Sequence, residues 1–154
     1  METSMGHTYT NLLTHIIFST KDRLPYLQGE RRDDVFAYLG GIVRELKGTA
    51  LNINGAADHV HALVRLPAAL AVAKTVEILK ANSSRWIHPY RVLHRSFSWQ
   101  SGYAAFSVSE SNAAELWRYI SYQVEHHRKR TFQEELIALL KKSGMEYDER
   151  YLWK

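Results

Sequence analysis

Two histidines separated by one residue, His59 and His61, are the first residues whose spacing indicates chemistry. They lie in segment 58–66, DHVHALVRL, which alternates with the period of a β-strand. Alternate side chains of a strand share a face, so the imidazoles lie about 7 Å apart, opposite Val60 and Ala62. Two imidazoles on one face can bind one divalent metal ion. The same pattern fits two polar residues on a solvated strand, so this pair alone leaves both interpretations open.

A tyrosine and a glutamine, Tyr119 and Gln123, form the second candidate pair. They are spaced i, i+4 in a segment with helical periodicity, so both side chains project from one side of that helix. Leu116, Ile120 and Val124 form its predicted apolar stripe. A tyrosine hydroxyl can act as a nucleophile and a glutamine amide oxygen can bind a metal. The alternative is that the tyrosine packs and the glutamine faces solvent.

A basic segment free of acidic residues lies between Glu77 and Glu110. Aromatic residues, among them Trp86 and Trp99, are interleaved with its cations. Cations bind phosphates and flat rings stack on bases, and single-stranded nucleic-acid binding uses both. The alternative is a basic surface whose aromatic residues lie in the core. The candidate phosphate contacts are Lys80, Arg85, Arg91 and Arg95.

The composition limits which classes of protein this chain can belong to. With 154 residues, 45% of them hydrophobic and 23% charged, and a net charge of +4, we expect one globular domain over residues 1–154. The absence of cysteine excludes disulfides, zinc–thiolate sites and thiol nucleophiles. No apolar run approaches the roughly 20 residues that cross a bilayer, and residues 1–5 carry no secretory signal pattern. We therefore expect a cytoplasmic protein with no membrane partner.

The elements that must position these residues follow the order strand–helix–strand–strand–helix–strand, and two further helices come after them. Apolar periodicity predicts strands at 9–20, 49–57, 58–66 and 103–108 and helices at 30–47 and 70–87. This order predicts an α+β fold: a ferredoxin-like antiparallel sheet with helices on one face, plus C-terminal helices carrying the tyrosine.

The two C-terminal helices have recognisable start signals. Asn112–Glu115 and Thr131–Glu134 both have the sequence of a capping box. They predict a third helix that continues to about residue 128 and a fourth that ends at residue 142. Residues 145–154 are rich in aromatic and aliphatic side chains, so we expect this tail to dock on the body or on a partner.

Taken together, these segments resemble a known family. His59-Val60-His61 is similar to the HUH motif (His, hydrophobe, His). Tyr119-Ile-x-x-Gln123, followed by Glu125-His126-His127 and Phe132-x-x-Glu135, is similar to the tyrosine helix of the single-tyrosine HUH transposases. That family includes insertion-sequence transposases and REP-associated tyrosine transposases. The segments 99–109 and 146–153 are also similar to family members, so the resemblance extends from about residue 9 to residue 153.

The resemblance implies a metal-dependent single-stranded DNA transposase. Tyr119 would cleave and rejoin DNA through a 5′-phosphotyrosine intermediate at hairpin-marked sites. His59, His61 and Gln123 would hold Mg²⁺ or Mn²⁺. The resemblance also implies a homodimer, in which the tyrosine helix of one subunit can complete the histidine pair of the other.

Two other functions fit parts of the pattern. One is a domesticated, non-catalytic single-stranded nucleic-acid-binding protein, which would bind without metal dependence or cleavage. The other is a small metal-dependent hydrolase, which would turn over without a protein–DNA adduct. The sequence presents no obvious third histidine or carboxylate for the water-activating site of such a hydrolase.

Overall fold

A computed structural model of the chain describes residues 6–90 and 97–153, apart from the side chains of Pro89 and Tyr90. Within these ranges the strands and helices follow the order expected from the sequence. The elements are β1 (Leu12–Ser19), α1 (Gly29–Glu45), β2 (Thr49–Ala56), β3 (His59–Leu66), α2 (Val72–Tyr90), β4 (Ala104–Ser107), α3 (Ala113–Ser121), α4 (Gln123–His126), α5 (Phe132–Lys142) and α6 (Glu149–Leu152). Short 3₁₀ turns span Lys21–Arg23 and Glu110–Asn112.

The four strands form one sheet in the order β2-β3-β1-β4, with every neighbouring pair antiparallel. This confirms the predicted α+β fold with a ferredoxin-like antiparallel sheet. The two central strands, β1 and β3, pair along their whole length, with His61 opposite Ile17 and His59 opposite Ser19. Both strands are almost entirely buried, because helices cover the two faces of the sheet.

The apolar side chains of the sheet divide between its two faces. On one face, Val60 and Val64 of β3 pack with the apolar residues of α1 and α2. On the other face, Ile17 of β1 packs with Leu136 of α5 and with the C-terminal tail. Each large aliphatic side chain buried in this way contributes about 1.5–3 kcal/mol. The face of β3 that carries the histidine pair therefore lies under the C-terminal helices, not in solvent.

The helix that carries Tyr119 is broken at Tyr122. α3 ends at Ser121 and α4 begins at Gln123, while Tyr122 has φ −105° and ψ 29°. The prediction of one continuous helix to about residue 128 is wrong, because the Asn54 side chain of β2 donates to the carbonyls of Ile120 and Ser121, which a continuous helix would pair with its own N–H groups. Val124, which continuous helical spacing assigned to the apolar stripe, is consequently 36% exposed.

The two predicted capping boxes have different outcomes. At the start of α5, the Thr131 side chain accepts from the Glu134 backbone N–H and the Glu134 side chain accepts from the Thr131 backbone N–H, as predicted. The prediction of a capping box at Asn112 is wrong. This residue belongs to a 3₁₀ turn and has φ −98° and ψ −5°, whereas a capping residue normally has extended geometry, and its side chain makes no capping hydrogen bond.

The C-terminal tail docks on the body of the same chain, as expected. Tyr147, Leu152 and Trp153 pack against the cluster formed by Ile17 and the apolar face of α5. Arg23 donates from Nη1 to the Trp153 carbonyl at 3.0 Å, and its guanidinium lies 5.4 Å from the indole centroid. In the described ranges, no helix combines the length and the apolarity that crossing a membrane requires.

Candidate metal and tyrosine site

Strand β3 brings His59 and His61 to a buried position beneath α4 and α5, where both side chains have no exposed surface. The Nε2 atom of His59 lies 3.0 Å from Oε1 of Gln123 and 3.5 Å from Oε1 of Glu135. The Nε2 atom of His61 lies 2.9 Å from the same Glu135 oxygen. The structure thus brings the sequence-predicted residues His59, His61 and Gln123 together and adds Glu135 to them.

Hydrogen bonds to the other nitrogen fix the orientation of each imidazole. The Nδ1 atom of His59 lies 2.8 Å from Oδ1 of Asp58, and the Nδ1 atom of His61 lies 2.7 Å from Nε2 of His15. With Nδ1 protonated, His59 donates to the carboxylate and His61 donates to His15. The Nε2 lone pairs of both rings are then free to act as metal ligands.

The converging atoms fit a divalent metal ion. Ligand atoms of His59, His61 and Glu135, all buried, lie within 4.8 Å of one another. Oε1 of Glu135 lies 2.9 Å from Nε2 of His61 and 3.5 Å from Nε2 of His59, and the Gln123 oxygen lies 3.0 Å from Nε2 of His59. These separations are close to those of ligands bound to one ion. Ligands about 2.1 Å from a metal are roughly 3.0–3.4 Å apart in octahedral or tetrahedral geometry. Two imidazoles, a carboxylate and an amide oxygen can therefore hold one divalent ion here.

Tyr119 reaches this cluster from α3 of the same chain. Its hydroxyl donates to Oε2 of Glu135, and its ring centroid lies 6.0 Å from that of His61. The side chain is half-buried. Burial, followed by the hydrogen bond to Glu135 and the charge of that carboxylate, raises the pKa of the phenol above its ordinary value, against smaller opposing effects of Gln123 and Arg130. One carboxylate therefore contacts both the phenol and the imidazole of His61.

Four residues of the cluster were not identified from the sequence: His15, Asp58, His127 and Glu135. The Nε2 atom of His127 lies 3.1 Å from Oε1 of Glu135 and 3.2 Å from Oε1 of Gln123. Asp58 adjoins the histidine pair in sequence. His127 and Glu135 belong to the Glu125-His126-His127 and Phe132-x-x-Glu135 segments of the resemblance, so the sequence contained a signal for all three residues. His15 had none, because only the β1–β3 register brings it beside His61.

Residues 8–123, which include the histidine pair, Tyr119 and Gln123, match the family described as "Transposase IS200 like". The chain belongs to this family. It is therefore a transposase of the IS200-like family.

Individual relatives agree with this assignment. The transposase for insertion sequence element IS200 of Salmonella typhimurium is 29% identical over 133 residues, which cover 82% of this chain and 86% of that protein. The corresponding protein of Salmonella typhi matches to the same extent. A crystal structure from Deinococcus radiodurans R1, described as a candidate transposase, has a TM-score of 0.61 and 26% identity over 80% of this chain and 98% of that chain.

A second solved structure is similar in fold alone. It is a REP-associated tyrosine transposase bound to a REP hairpin, with a TM-score of 0.58 and 12% identity over 82% of this chain and 74% of that chain.

The basic residues predicted to contact DNA occupy different environments in this IS200-like transposase. The ammonium of Lys80 donates to the carbonyls of Gln100 and Gly102 at 2.8 and 2.6 Å, and burial lowers its pKa to about 8. Arg85 is exposed and donates to the Asn82 side chain. Arg91 and Arg95 lie outside the described residues.

The aromatic residues of the same segment form part of the core. Trp86 stacks on Tyr38 with ring centroids 4.5 Å apart. Trp99 is 9% exposed, packs edge-on against Phe18 and donates its indole N–H to Ser83 at 3.0 Å. Of the two sequence interpretations, the structure supports packing for these two tryptophans.

A second basic segment, absent from the sequence-based candidates, lies beside the tyrosine. Arg128, Lys129 and Arg130 are consecutive and exposed between α4 and α5. The charge of Arg130 is close enough to Tyr119 to lower the pKa of its phenol in part. Arg130 of this basic segment therefore lies close to Tyr119, whose hydroxyl donates to the buried carboxylate of Glu135.

Replacement of His15 tests its role in orienting His61. His15→Phe keeps a ring of similar size but removes the acceptor for the His61 Nδ1–H. We expect the affinity for Mn²⁺, measured by titration calorimetry, to fall about 10- to 100-fold, the range typical when a ligand histidine loses its hydrogen-bond partner. His88→Ala, at an exposed position on α2, is the control. An affinity for Mn²⁺ equal to that of the parent would exclude the proposed role of His15.

The buried histidines predict a loss of stability in mild acid for the metal-free chain. Burial lowers the pKa of His15 to about 3 and that of His61 to about 4, from an ordinary value of 6.5. Between these values the unfolded chain binds more protons than the folded chain. We therefore expect the free energy of unfolding, measured by urea denaturation, to fall from pH 6.5 to pH 4, by about 1.4 kcal/mol per pH unit for each extra proton.

His127 affects the pH dependence of stability in the opposite direction. Burial lowers its pKa, but the hydrogen bond and negative charge of Glu135 raise it more, so the resulting pKa is above the ordinary value. Its contribution to stability is complete below pH 6.5 and is lost as the pH rises. The effect of two imidazoles with lowered pKa values outweighs that of one imidazole with a raised pKa. A free energy of unfolding that increases steadily from pH 6.5 to pH 4 would contradict the prediction for His15 and His61.

Proposed function

We propose that this IS200-like transposase acts on single-stranded DNA, and that Tyr119 cleaves and rejoins the strand through a 5′-phosphotyrosine intermediate at hairpin-marked sites. One observation carries the proposal. The Tyr119 hydroxyl and the Nε2 atom of His61 contact the same buried carboxylate, that of Glu135, within a single chain. A nucleophile and a candidate metal site are therefore adjacent.

The proposed reaction is a transesterification. The Tyr119 oxygen attacks phosphorus, a tyrosine–phosphate bond forms, and the bond from phosphorus to the 3′-oxygen breaks. The phenol proton is lost and the 3′-oxygen leaves as a hydroxyl, so the DNA keeps its 5′-phosphate as an ester of tyrosine. Attack by another 3′-hydroxyl reverses these steps. Since the two esters are similar in energy, rejoining requires no nucleotide cofactor.

His59, His61, Gln123 and Glu135 would hold the metal, and Mg²⁺ or Mn²⁺ is proposed. When bound, the divalent ion supplies positive charge that polarises a non-bridging phosphate oxygen and stabilises the leaving oxygen. Asp58 and His15 keep the imidazoles oriented through their Nδ1 atoms. Glu135 holds the Tyr119 hydroxyl beside the site. Removing a phenol proton of ordinary pKa at pH 7 costs about 4 kcal/mol, and the raised pKa of Tyr119 increases that cost in the metal-free chain.

The substrate is proposed to be single-stranded DNA with hairpins. A duplex holds its strand stiffly and shields it with the complement, whereas a single strand can bend into a site beside α3. The REP-associated relative, which is bound to a REP hairpin, supports a hairpin as the recognition element. A homodimer is also proposed. Since Tyr119 and the histidine pair meet in one chain, each subunit of such a dimer would contain a complete site.

The DNA contacts are proposed to include two basic segments. The first contains the residues expected from the sequence: Lys80, Arg85, Arg91 and Arg95. The second is Arg128–Arg130, which is exposed beside Tyr119 and would bind phosphates next to the scissile one. Lys80 makes two hydrogen bonds to carbonyls, so one N–H of its ammonium remains for a phosphate.

The salt dependence of DNA binding tests the second basic segment. Replacing Arg128, Lys129 and Arg130 together by alanine removes three phosphate contacts. We expect the slope of log K against log salt to become less steep by about 2, since each contact contributes roughly 0.7 on a single strand. The control is Lys141→Ala with Lys142→Ala, at the opposite end of α5. Equal slopes for the parent and the triple variant would remove this segment from the DNA interface.

The proposal as a whole is tested by incubating the protein with an end-labelled hairpin oligonucleotide taken from the DNA that flanks its coding region. With Mg²⁺ or Mn²⁺ we expect a covalent adduct on a denaturing gel, and with EDTA we expect none. Binding with neither metal dependence nor cleavage would favour the non-catalytic alternative. Cleavage without an adduct would favour a hydrolase, for which the structure, unlike the sequence, supplies a carboxylate and a third histidine at the site, Glu135 and His127.

A further inference from the structure

Three side-chain groups attach the tyrosine helix to the edge strand of the sheet. Asn52 of β2 donates from Nδ2 to the Trp117 carbonyl and to the Ser121 hydroxyl, each at 2.9 Å. Asn54 donates from Nδ2 to the carbonyls of Ile120 and Ser121 at 2.9 and 3.2 Å. The indole N–H of Trp117 donates to the Leu51 carbonyl at 3.0 Å. We call this set of hydrogen bonds the β2–α3 contact.

The carbonyls that Asn54 contacts lie at the end of α3. The last carbonyls of a helix have no N–H one turn further along, so they need other donors. The helix ends at Ser121, and the Asn54 amide supplies a donor to Ile120 and Ser121. Asn52 and Asn54 are two positions apart, so both side chains leave β2 on the face that α3 covers.

A β-bulge explains the third group. The register of β2 against β3 shifts between Ala50 and Asn52, so Leu51 is the extra residue. An extra residue is left out of the strand ladder, which frees its carbonyl. The Trp117 indole donates to this carbonyl. Trp117 is 46% exposed, so its hydrogen bond to Leu51, more than burial of its ring, fixes it to the sheet.

Apart from the β2–α3 contact, few buried side chains hold α3 in place. Ile120 is its fully buried residue, and Tyr119 lies one position before it on the helix. The hydrogen bonds of the β2–α3 contact end on residues 117, 120 and 121, on either side of Tyr119 in sequence. A shift of this helix would move the phenol away from Glu135 while leaving His59, His61 and Glu135, which belong to β3 and α5, in position.

We propose that Asn52, Asn54 and Trp117 are positioning residues, which hold the helix of Tyr119 at the histidine pair of its own chain. They touch neither the metal ligands nor the hydroxyl, and they act through the backbone of α3. This inference rests on the proposed function for its consequence in DNA cleavage, but the attachment itself can be measured without DNA.

The first measurement is amide hydrogen exchange of residues 113–126 by mass spectrometry. The variants are Asn52→Ala with Asn54→Ala, and the milder Trp117→Phe, which removes a single N–H and keeps the fold if the double variant does not. We expect exchange of this segment to increase by about fivefold for each hydrogen bond lost, with exchange in β1 and β3 unchanged. The matched control is Asn11→Ala, which removes an exposed asparagine bonded to Glu110 and Arg65.

The second measurement separates positioning from general destabilisation. At saturating hairpin DNA and Mn²⁺, we expect the rate of adduct formation to fall in Trp117→Phe, by up to about fivefold, because the rate follows the fraction of molecules in which the helix is docked. The affinity for DNA should stay within about twofold of the parent. The affinity for Mn²⁺ should fall less than the rate does, since His59, His61 and Glu135 do not move and only Gln123, which donates to the Tyr119 carbonyl at 3.5 Å, follows the helix. A merely structural role would lower these affinities together with the rate.

The outcomes distinguish failure of this inference from failure of the proposed function. Unchanged exchange in residues 113–126 of both variants would overturn the positioning role, whatever the DNA results. Increased exchange with an unchanged adduct rate would overturn it too, because the helix would then be loosened without consequence. If the parent forms no adduct with any hairpin, the proposed function fails, and the exchange data still decide whether the β2–α3 contact holds the helix.

Discussion

Tyr119→Phe is expected to lower the rate of covalent adduct formation by at least roughly 1,000-fold, as is typical when a catalytic nucleophile is removed. The phenyl ring keeps its contacts with His61 and His126, whose ring centroids lie 6.0 and 4.6 Å from that of Tyr119. DNA binding, measured by fluorescence anisotropy with a labelled hairpin, should therefore remain within a few-fold of the parent. The loss should appear only in the chemical step.

Tyr122→Phe is the matched control for this substitution. Tyr122 lies three positions further along the chain, is 58% exposed and carries the same hydroxyl group. It should form the adduct at the parental rate. An adduct that persists in Tyr119→Phe and disappears in Tyr122→Phe would identify Tyr122 as the nucleophile and contradict the assignment of Tyr119.

The second large effect concerns the metal. His59→Ala, His61→Ala and Glu135→Gln should each lower the affinity for Mn²⁺ by at least about 100-fold, since each removes a ligand atom or its charge from a buried site. Metal-dependent adduct formation should be lost with it. Glu135→Gln is the most informative of the three, because it preserves the size of the side chain and removes the charge that also holds the Tyr119 hydroxyl.

Titration calorimetry with Mn²⁺ measures this prediction, and circular dichroism checks the fold of each variant. His88→Ala, with an exposed imidazole on α2, controls for the loss of a histidine in itself. A parental affinity for Mn²⁺ in Glu135→Gln would remove Glu135 from the metal site. The sequence-based set of His59, His61 and Gln123 would then be the complete proposal.

The sheet and the face of each histidine were predictable from the sequence. Alternation over residues 58–66 defines one apolar face, and the order of elements is enough to predict a ferredoxin-like sheet. Local patterns also identified the capping box at Thr131, because both of its hydrogen bonds join residues three positions apart. These are features in which the interacting residues are close in the chain or share a strict period.

The completed cluster was not predictable, because its members meet through tertiary packing. Glu135 is 74 positions from His61, and His15 is 46 positions from it. No spacing rule relates residues on different elements to one another. The i, i+4 relation between Tyr119 and Gln123 assumed a continuous helix, and the break at Tyr122 depends on asparagines of β2 that are about 66 positions away. Glu135 and His127, the carboxylate and third histidine of the site, likewise belong to other parts of the chain than the histidine pair, so the sequence did not reveal them.

The role of Tyr119 as nucleophile is tested most directly by mass spectrometry of the protein after reaction with hairpin DNA, nuclease trimming and proteolysis. We expect a nucleotide joined through its 5′-phosphate to Tyr119, formed only with a divalent metal and absent from Tyr119→Phe. Cleaved DNA with a free 5′-phosphate and no modified peptide, or a nucleotide on Tyr122 or another residue, would contradict it.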